Sequence, residues 1–122
     1  MNLDIIFRGK QVTCEIIRLD AGIHVLLTGG DRSHIGAWSM AQPDSPVQTT
    51  QLPGHRDGEV SERWAELLSR ATGETVFVVC GIHYDNLSRE ELTKLLGLLK
   101  DLEQKAEKAL SAQSHASGCT GL

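Results

Sequence analysis

Residues 75–92 read TVFVVCGIHYDNLSREEL. The run from Thr75 to Ile82 is nearly continuous in β-branched, aromatic and other apolar residues, the pattern of a central strand covered on both faces. Its end is marked by LSREEL, a capping box in which Ser88 and Glu91 satisfy each other's backbone N–H groups. Leu87 and Leu92 flank it as a hydrophobic staple. A helical stripe then follows through Leu95, Leu96, Leu99, Leu102, Ala106 and Ala109. The opposite face carries Lys94, Asp101, Lys105 and Lys108, a solvated face. A strand followed at once by a capped helix is therefore the C-terminal unit of the fold.

Upstream, Val60, Trp64, Leu67, Leu68 and Ala71 form a second helical stripe, with Asp57 as N-cap and Gly73 at C′. Before it the period changes to two. Leu3, Ile5 and Phe7 alternate with other residues, as do Val12, Cys14 and Ile16, and then Ile23, Val25 and Leu27. Turns are expected at Gly9-Lys10, at Asp20-Ala21-Gly22 and over Pro43–Pro46. IGAWSMA reads as a fourth strand and VQTTQL as a weaker fifth. The order β-β-β-β-β-α-β-α predicts an α+β fold, a mostly antiparallel sheet of about six strands with two helices. If both helices share one sheet face, the other needs a cover, which a symmetric dimer supplies.

The chain has 122 residues, enough for one domain that buries roughly two-thirds of its unfolded surface. Residues 1–110 are expected to form it, with 111–122 (SAQSHASGCTGL) as a flexible tail without periodicity. The formal charge of −4, from 12 basic and 16 acidic residues, argues against a nucleic-acid binder. An aromatic content of 4% argues against a stacking platform. Cys14, Cys80 and Cys119 are too few and too widely spaced for a disulfide framework or zinc finger. The first residues, MNLDIIFRGK, resemble neither a signal peptide nor a membrane span, so a reduced cytoplasmic protein is expected.

Three loops concentrate the chemistry: GGDRSHIG, PGHRDG and CGIHYDNLS. Gly29 and Gly30 allow close backbone approach, Arg32 and Arg56 offer bidentate contacts, and two helix N-termini lie near, which together suit a phosphate. His83 and Asp85, with His34 or His55, equally suit a divalent metal as a two-histidine, one-carboxylate set. Histidine with aspartate also suits acid–base work, but no GxSxG elbow is present and Cys80 reads as buried. Trp38 and Trp64 read as core or dimer-contact aromatics.

Taken together, GGDRSHIGA, GHRDG and GIHYDNLSREEL resemble the LpdD-like family of prenylated-flavin chaperones, over roughly residues 25–105. Gly29, Gly30, His34 and Gly36 match the first motif, Gly54, His55 and Arg56 the second, Gly81, His83 and Asp85 the third. The resemblance implies a proteasome-assembly-chaperone-like fold, dimerisation, and a chaperone that binds prenylated FMN and loads it onto an apo UbiD-like decarboxylase. On that expectation Arg32 and Arg56 hold the phosphate, and Ile35, Trp38 and Ile82 wall the fused ring. His34, His55, His83 and Asp85 line the site, directly or through a bridging divalent metal ion. Two other readings remain open: a small metal-dependent enzyme acting on a phosphorylated substrate, and a dimeric protein-assembly chaperone without ligand.

Overall fold

The structure is a computed structural model and describes residues 1–112. The tail expected from Ser111 lies, after Ala112, outside the described residues. The elements are β1 (Asn2–Phe7), β2 (Lys10–Arg18), β3 (Ile23–Gly30), β4 (Arg32–Gln42), β5 (Ser45–Gln51), α1 (Gly58–Thr72), β6 (Val76–His83) and α2 (Arg89–Ala112). One six-stranded sheet runs in the order β1-β2-β3-β6-β4-β5. It is antiparallel at each pairing except β3 with β6.

Local chemistry sets the joints. Arg8 and Gly9 both take positive φ and close the first hairpin one residue earlier than the expected Gly9-Lys10 turn. Ser45 and Pro46 belong to β5 instead of the preceding turn. Because β5 is an edge strand, the missing N–H of Pro46 is tolerated there. Gly73 ends α1 in the left-handed conformation, its N–H donated to the Ser69 carbonyl. The capping box forms as its sequence requires: the Ser88 N–H donates to Glu91 Oε1 at 3.0 Å, and the Glu91 N–H to Ser88 Oγ at 3.1 Å.

The largest departure from a simple meander is the place of β6, which is inserted between β3 and β4. The chain leaving β3 must therefore pass over the end of β6 before returning as β4. GGDR makes that crossing, with Gly29 and Gly30 at positive φ and the Asp31 N–H donated to the His83 carbonyl at 2.6 Å. The fourth strand accordingly starts at Arg32, inside the segment expected to be loop.

Both helices cover one sheet face. Val12, Cys14, Val25, Leu27, Val78 and Cys80 point into it and pack with Trp64, Leu68, Leu99 and Leu102. Cys14 and Cys80 are small buried hydrophobes; burial pushes the Cys14 thiol up to about 12 and the Cys80 thiol well above its ordinary 9.0. The opposite face has no cover among the described residues. Cross-strand rows there bring together Ile17, His24, Phe77 and Met40, then Leu26, Val79 and Trp38. Phe77 and Val79 are only half-buried, so the strand read as covered on both faces is covered on one.

Two acidic side chains, Glu74 and Glu103, are buried in the helical layer. Arg18 bonds Glu74 at 2.6 Å and reaches the Leu110 carbonyl at 3.3 Å, tying β2 to the ends of both helices. Glu103 is 3% exposed and one of its oxygens has no partner. Burial, with Glu107 beside it and only Arg63 opposing, pushes its carboxyl from 4.5 up to about 7. The folded state thus binds the proton more tightly than the unfolded chain, and stability falls as pH rises from about 4.5 to about 7. Glu103→Gln is expected to flatten that slope in urea titrations across this window and to be more stable than the parent at pH 8.

Candidate functional site

The site lies where β6 ends. Along β4 the register passes from Ser33 opposite Ile82 to Ala37 opposite Cys80, four residues against two, so His34, Ile35 and Gly36 bulge out of the ladder. Gly81 makes this possible: a Cβ there would meet the His34 carbonyl oxygen. Gly36 is equally constrained, because a Cβ would meet Asp57 Oδ2. The bulge carries the His34 ring toward the start of α1.

Asp57 stands at the N-cap position of α1 but makes no capping bond with its side chain. Gln51 Oε1 accepts the Gly58 N–H at 2.9 Å in its place. The Asp57 carboxylate reaches instead across to the sheet. Oδ1 accepts the Ile82 N–H at 3.0 Å and lies 3.7 Å from Cys80 Sγ, while Oδ2 is 3.2 Å from His34 Nε2. His55 stacks on His34 with ring centroids 4.7 Å apart, and His83 meets His34 edge-on at 6.4 Å. Three histidines, from the β4 bulge, the segment before α1 and the end of β6, thus form one cluster, with Asp57 beneath it.

His83 and Asp85 turn toward each other rather than jointly outward from one strand face. The strand stops at His83, the chain folds back, and His83 Nε2 lies 2.8 Å from Asp85 Oδ1. This bond, helped by the charges of Arg32 and Arg8, holds the Asp85 carboxyl below its ordinary value. The Asp85 N–H donates to Asp31 Oδ2 at 2.8 Å, which fastens the third loop to the first. Tyr84, buried between them, packs edge-on against Phe7 and donates to the Lys10 carbonyl.

A cavity of about 350 Å³ opens beside the cluster. His34, His55, Arg56, Asp57 and His83 form its polar end. Val60, Ile82, Leu87, Leu95 and Leu99 form its apolar wall. The staple leucine Leu92 and its neighbour Leu96 are 44% and 48% exposed and stand at the lip. A second groove shares Val60, Leu96 and Leu99 and continues between the helices toward Arg63 and Lys100.

Of the residues singled out in the sequence, His34, His55, Arg56 and His83 line this cavity and Asp85 adjoins it through His83. Arg32 lies across the ladder from His83, is exposed, and does not line the cavity. Gly29 and Gly30 do not face the cavity; their missing Cβ atoms make room for the carbonyls of Gln11 and His83. Gly36 and Gly81 make room inside the cluster itself. Of Ile35, Trp38 and Ile82, only Ile82 is in the apolar wall. Ile35 is exposed, and Trp38 lies on the open sheet face. The α2 leucines take their place. Sequence reading missed Asp57 as a site residue because it also has the ordinary look of an N-cap; its adjacency to His55 and Arg56 was the available signal.

The described residues 7–111 match the family model of the prenylated flavin chaperone LpdD-like domain. This chain belongs to that family. It is 23% identical over 100 residues to protein LpdD of Lactiplantibacillus plantarum, covering 78% of this chain and 72% of that one. The fold is similar to a chain from the crystal structure of a chaperone complex for yeast 20S proteasome assembly. The TM-score is 0.53 at 13% identity, over 90% of this chain and 97% of that one. The expected α+β, proteasome-assembly-chaperone-like fold is therefore the observed one, and the family resemblance read from the three motifs holds. No helix among the described residues is long and apolar enough to cross a membrane.

The bulge depends on a bare Gly81. Gly81→Ala is expected to cost roughly 1–3 kcal/mol, as overpacking against fixed backbone does. Urea unfolding measures the loss, and displaced His34 and His55 ring resonances in NMR spectra locate it.

Proposed function

We propose that this protein is a non-catalytic carrier that binds prenylated FMN and delivers it to an apo-decarboxylase of the UbiD-like kind. One observation carries the reading beyond family membership: a single cavity is basic and imidazole-rich at one end and walled by leucines at the other. Prenylated FMN has the same division, an anionic phosphate with polar ring edges and an added apolar ring. Arg56 at the mouth, with the exposed Arg32, receives the phosphate. The leucine wall takes the prenyl-derived ring, and His34, His55 and His83 meet the polar edge of the flavin.

The chemistry of the side chains supports carriage over turnover. Cys80, the thiol beside the cluster, is buried and held protonated, so it is no nucleophile. Asp85 is bonded to His83, and Asp57 has one oxygen engaged by backbone. The open lip at Leu92 and Leu96 leaves the cargo reachable by the recipient enzyme. The uncovered sheet face, with exposed Ile17 and Met40 beside half-buried Phe77, Val79 and Trp38, supports a homodimer.

Titration with prenylated FMN, with FMN as control, is expected to give saturable binding of the prenylated form and weaker binding of the plain one. Arg56→Ala is expected to weaken the prenylated form roughly tenfold, the order of one charged hydrogen bond. Transfer shows as activity appearing in an apo-decarboxylase mixed with the loaded protein. No saturation with either flavin rejects the reading. Separately, Ile17→Lys is expected to shift the protein to monomers in analytical ultracentrifugation; a parent protein already monomeric at high concentration rejects the dimer.

A further inference from the structure

We propose that His34, His55 and Asp57 form a divalent-cation site at the polar end of the cavity, with its open coordination position facing the leucine wall. The ligand atoms of the three residues all lie within 4.8 Å of one another. Two imidazoles and one carboxylate suit zinc, cobalt, iron or manganese. Two ligands about 2.0–2.1 Å from a tetrahedral ion stand roughly 3.3 Å apart. His34 Nε2 and Asp57 Oδ2, at 3.2 Å, already have that spacing.

The carboxylate is oriented for this role. Its Oδ1 is fixed by the Ile82 N–H, which leaves Oδ2 directed at His34. Metal-binding carboxylates are commonly held in this way by a second hydrogen bond. The absent Cβ of Gly36 keeps Oδ2 uncovered on the side of the bulge. No hydrogen bond between side chains restrains the His55 ring among the described residues, so rotation can bring its nitrogen in as the third ligand. Cys80 Sγ lies 3.7 Å from Asp57 Oδ1, the oxygen turned away from His34, and stands outside the group of converging ligand atoms.

This assignment departs from the sequence expectation. His83 and Asp85 bond each other, and Asp57 supplies the carboxylate that Asp85 was expected to give. Two neutral imidazoles and one carboxylate leave a bound divalent ion with a net positive charge. The open position therefore attracts an anionic or electron-rich oxygen or nitrogen donor whose remaining body is apolar. Resting on the carrier reading above, that donor belongs to the flavin cargo, and the cation is what couples the polar end of the cavity to it.

The test uses the full chain stripped of metal and titrated with Co²⁺, followed by its visible ligand-field absorption. The parent is expected to show saturable bands. His55→Ala and Asp57→Asn are expected to weaken Co²⁺ binding at least tenfold. Asparagine keeps an acceptor for the Ile82 N–H, and His55→Ala gives an independent variant should the first fail to fold. Absence of saturable bands in the parent overturns the site. So do bands that survive both substitutions, or bands lost in Asp85→Asn but kept in Asp57→Asn. Prenylated FMN is then titrated into the stripped and Co²⁺-loaded parent, with at least tenfold tighter binding expected in the loaded form. Equal affinity in the two forms overturns the coupling. Flavin binding in neither form, with Co²⁺ still dependent on His55 and Asp57, retires the carrier reading and upholds the cation site.

Discussion

Asp57 has two carboxylate oxygens, and the cluster depends on where each one goes. At the bulge, β4 leaves β6, and the Ile82 N–H near the end of the central strand is met by Asp57 Oδ1 instead of a strand partner. An amide left there without an acceptor would cost the full desolvation penalty, on the order of 1–3 kcal/mol. The same residue begins α1, so one side chain fixes the helix start against the sheet. Its second oxygen then orients His34, and His55 stacks on His34 in turn. In the proposed cation site, the contact that satisfies the strand amide would also set the spacing of two ligands.

Around that contact the fold arranges opposites. The sheet end supplies imidazoles and basic side chains, whereas α2 supplies leucines from the face next to its capping box. Leu87 and Leu92, the pair whose spacing reads as a staple at the start of α2, both line the cavity. The proposed carrier role requires that a reactive cofactor be held without reaction and then let go. Buried thiols, paired carboxylates and an exposed leucine lip fit those demands better than an enclosed catalytic pocket does.

The strands, helices, caps and fold class were legible because each rests on local pattern. Period-two alternation marked β1 to β3, and Ser88 with Glu91 marked the start of α2. The three histidine loops were legible as places of interest, and the structure does bring them together. Illegible were features set by tertiary neighbours. Nothing local tells that β6 enters between β3 and β4, so the glycines of GGDR read as part of a ligand loop while the crossing they make over His83 went unread. Gly29 and Gly30 read as room for a ligand, yet they, like Gly81, give room to the chain's own carbonyls. Asp57 read as a cap because residue type and position agree with one; its carboxylate is drawn away by the unpaired strand amide. The apolar run of β6 did not distinguish a face covered by helices from one left uncovered among the described residues.

The most direct measurement of the central claim is the histidine-ring region of NMR spectra recorded while prenylated FMN is added. The rings of His34, His55 and His83 are expected to shift together and saturate, while His24 on the opposite sheet face stays in place. Shifts confined to His24 and its neighbours, or no shift at any of the four rings, would contradict it.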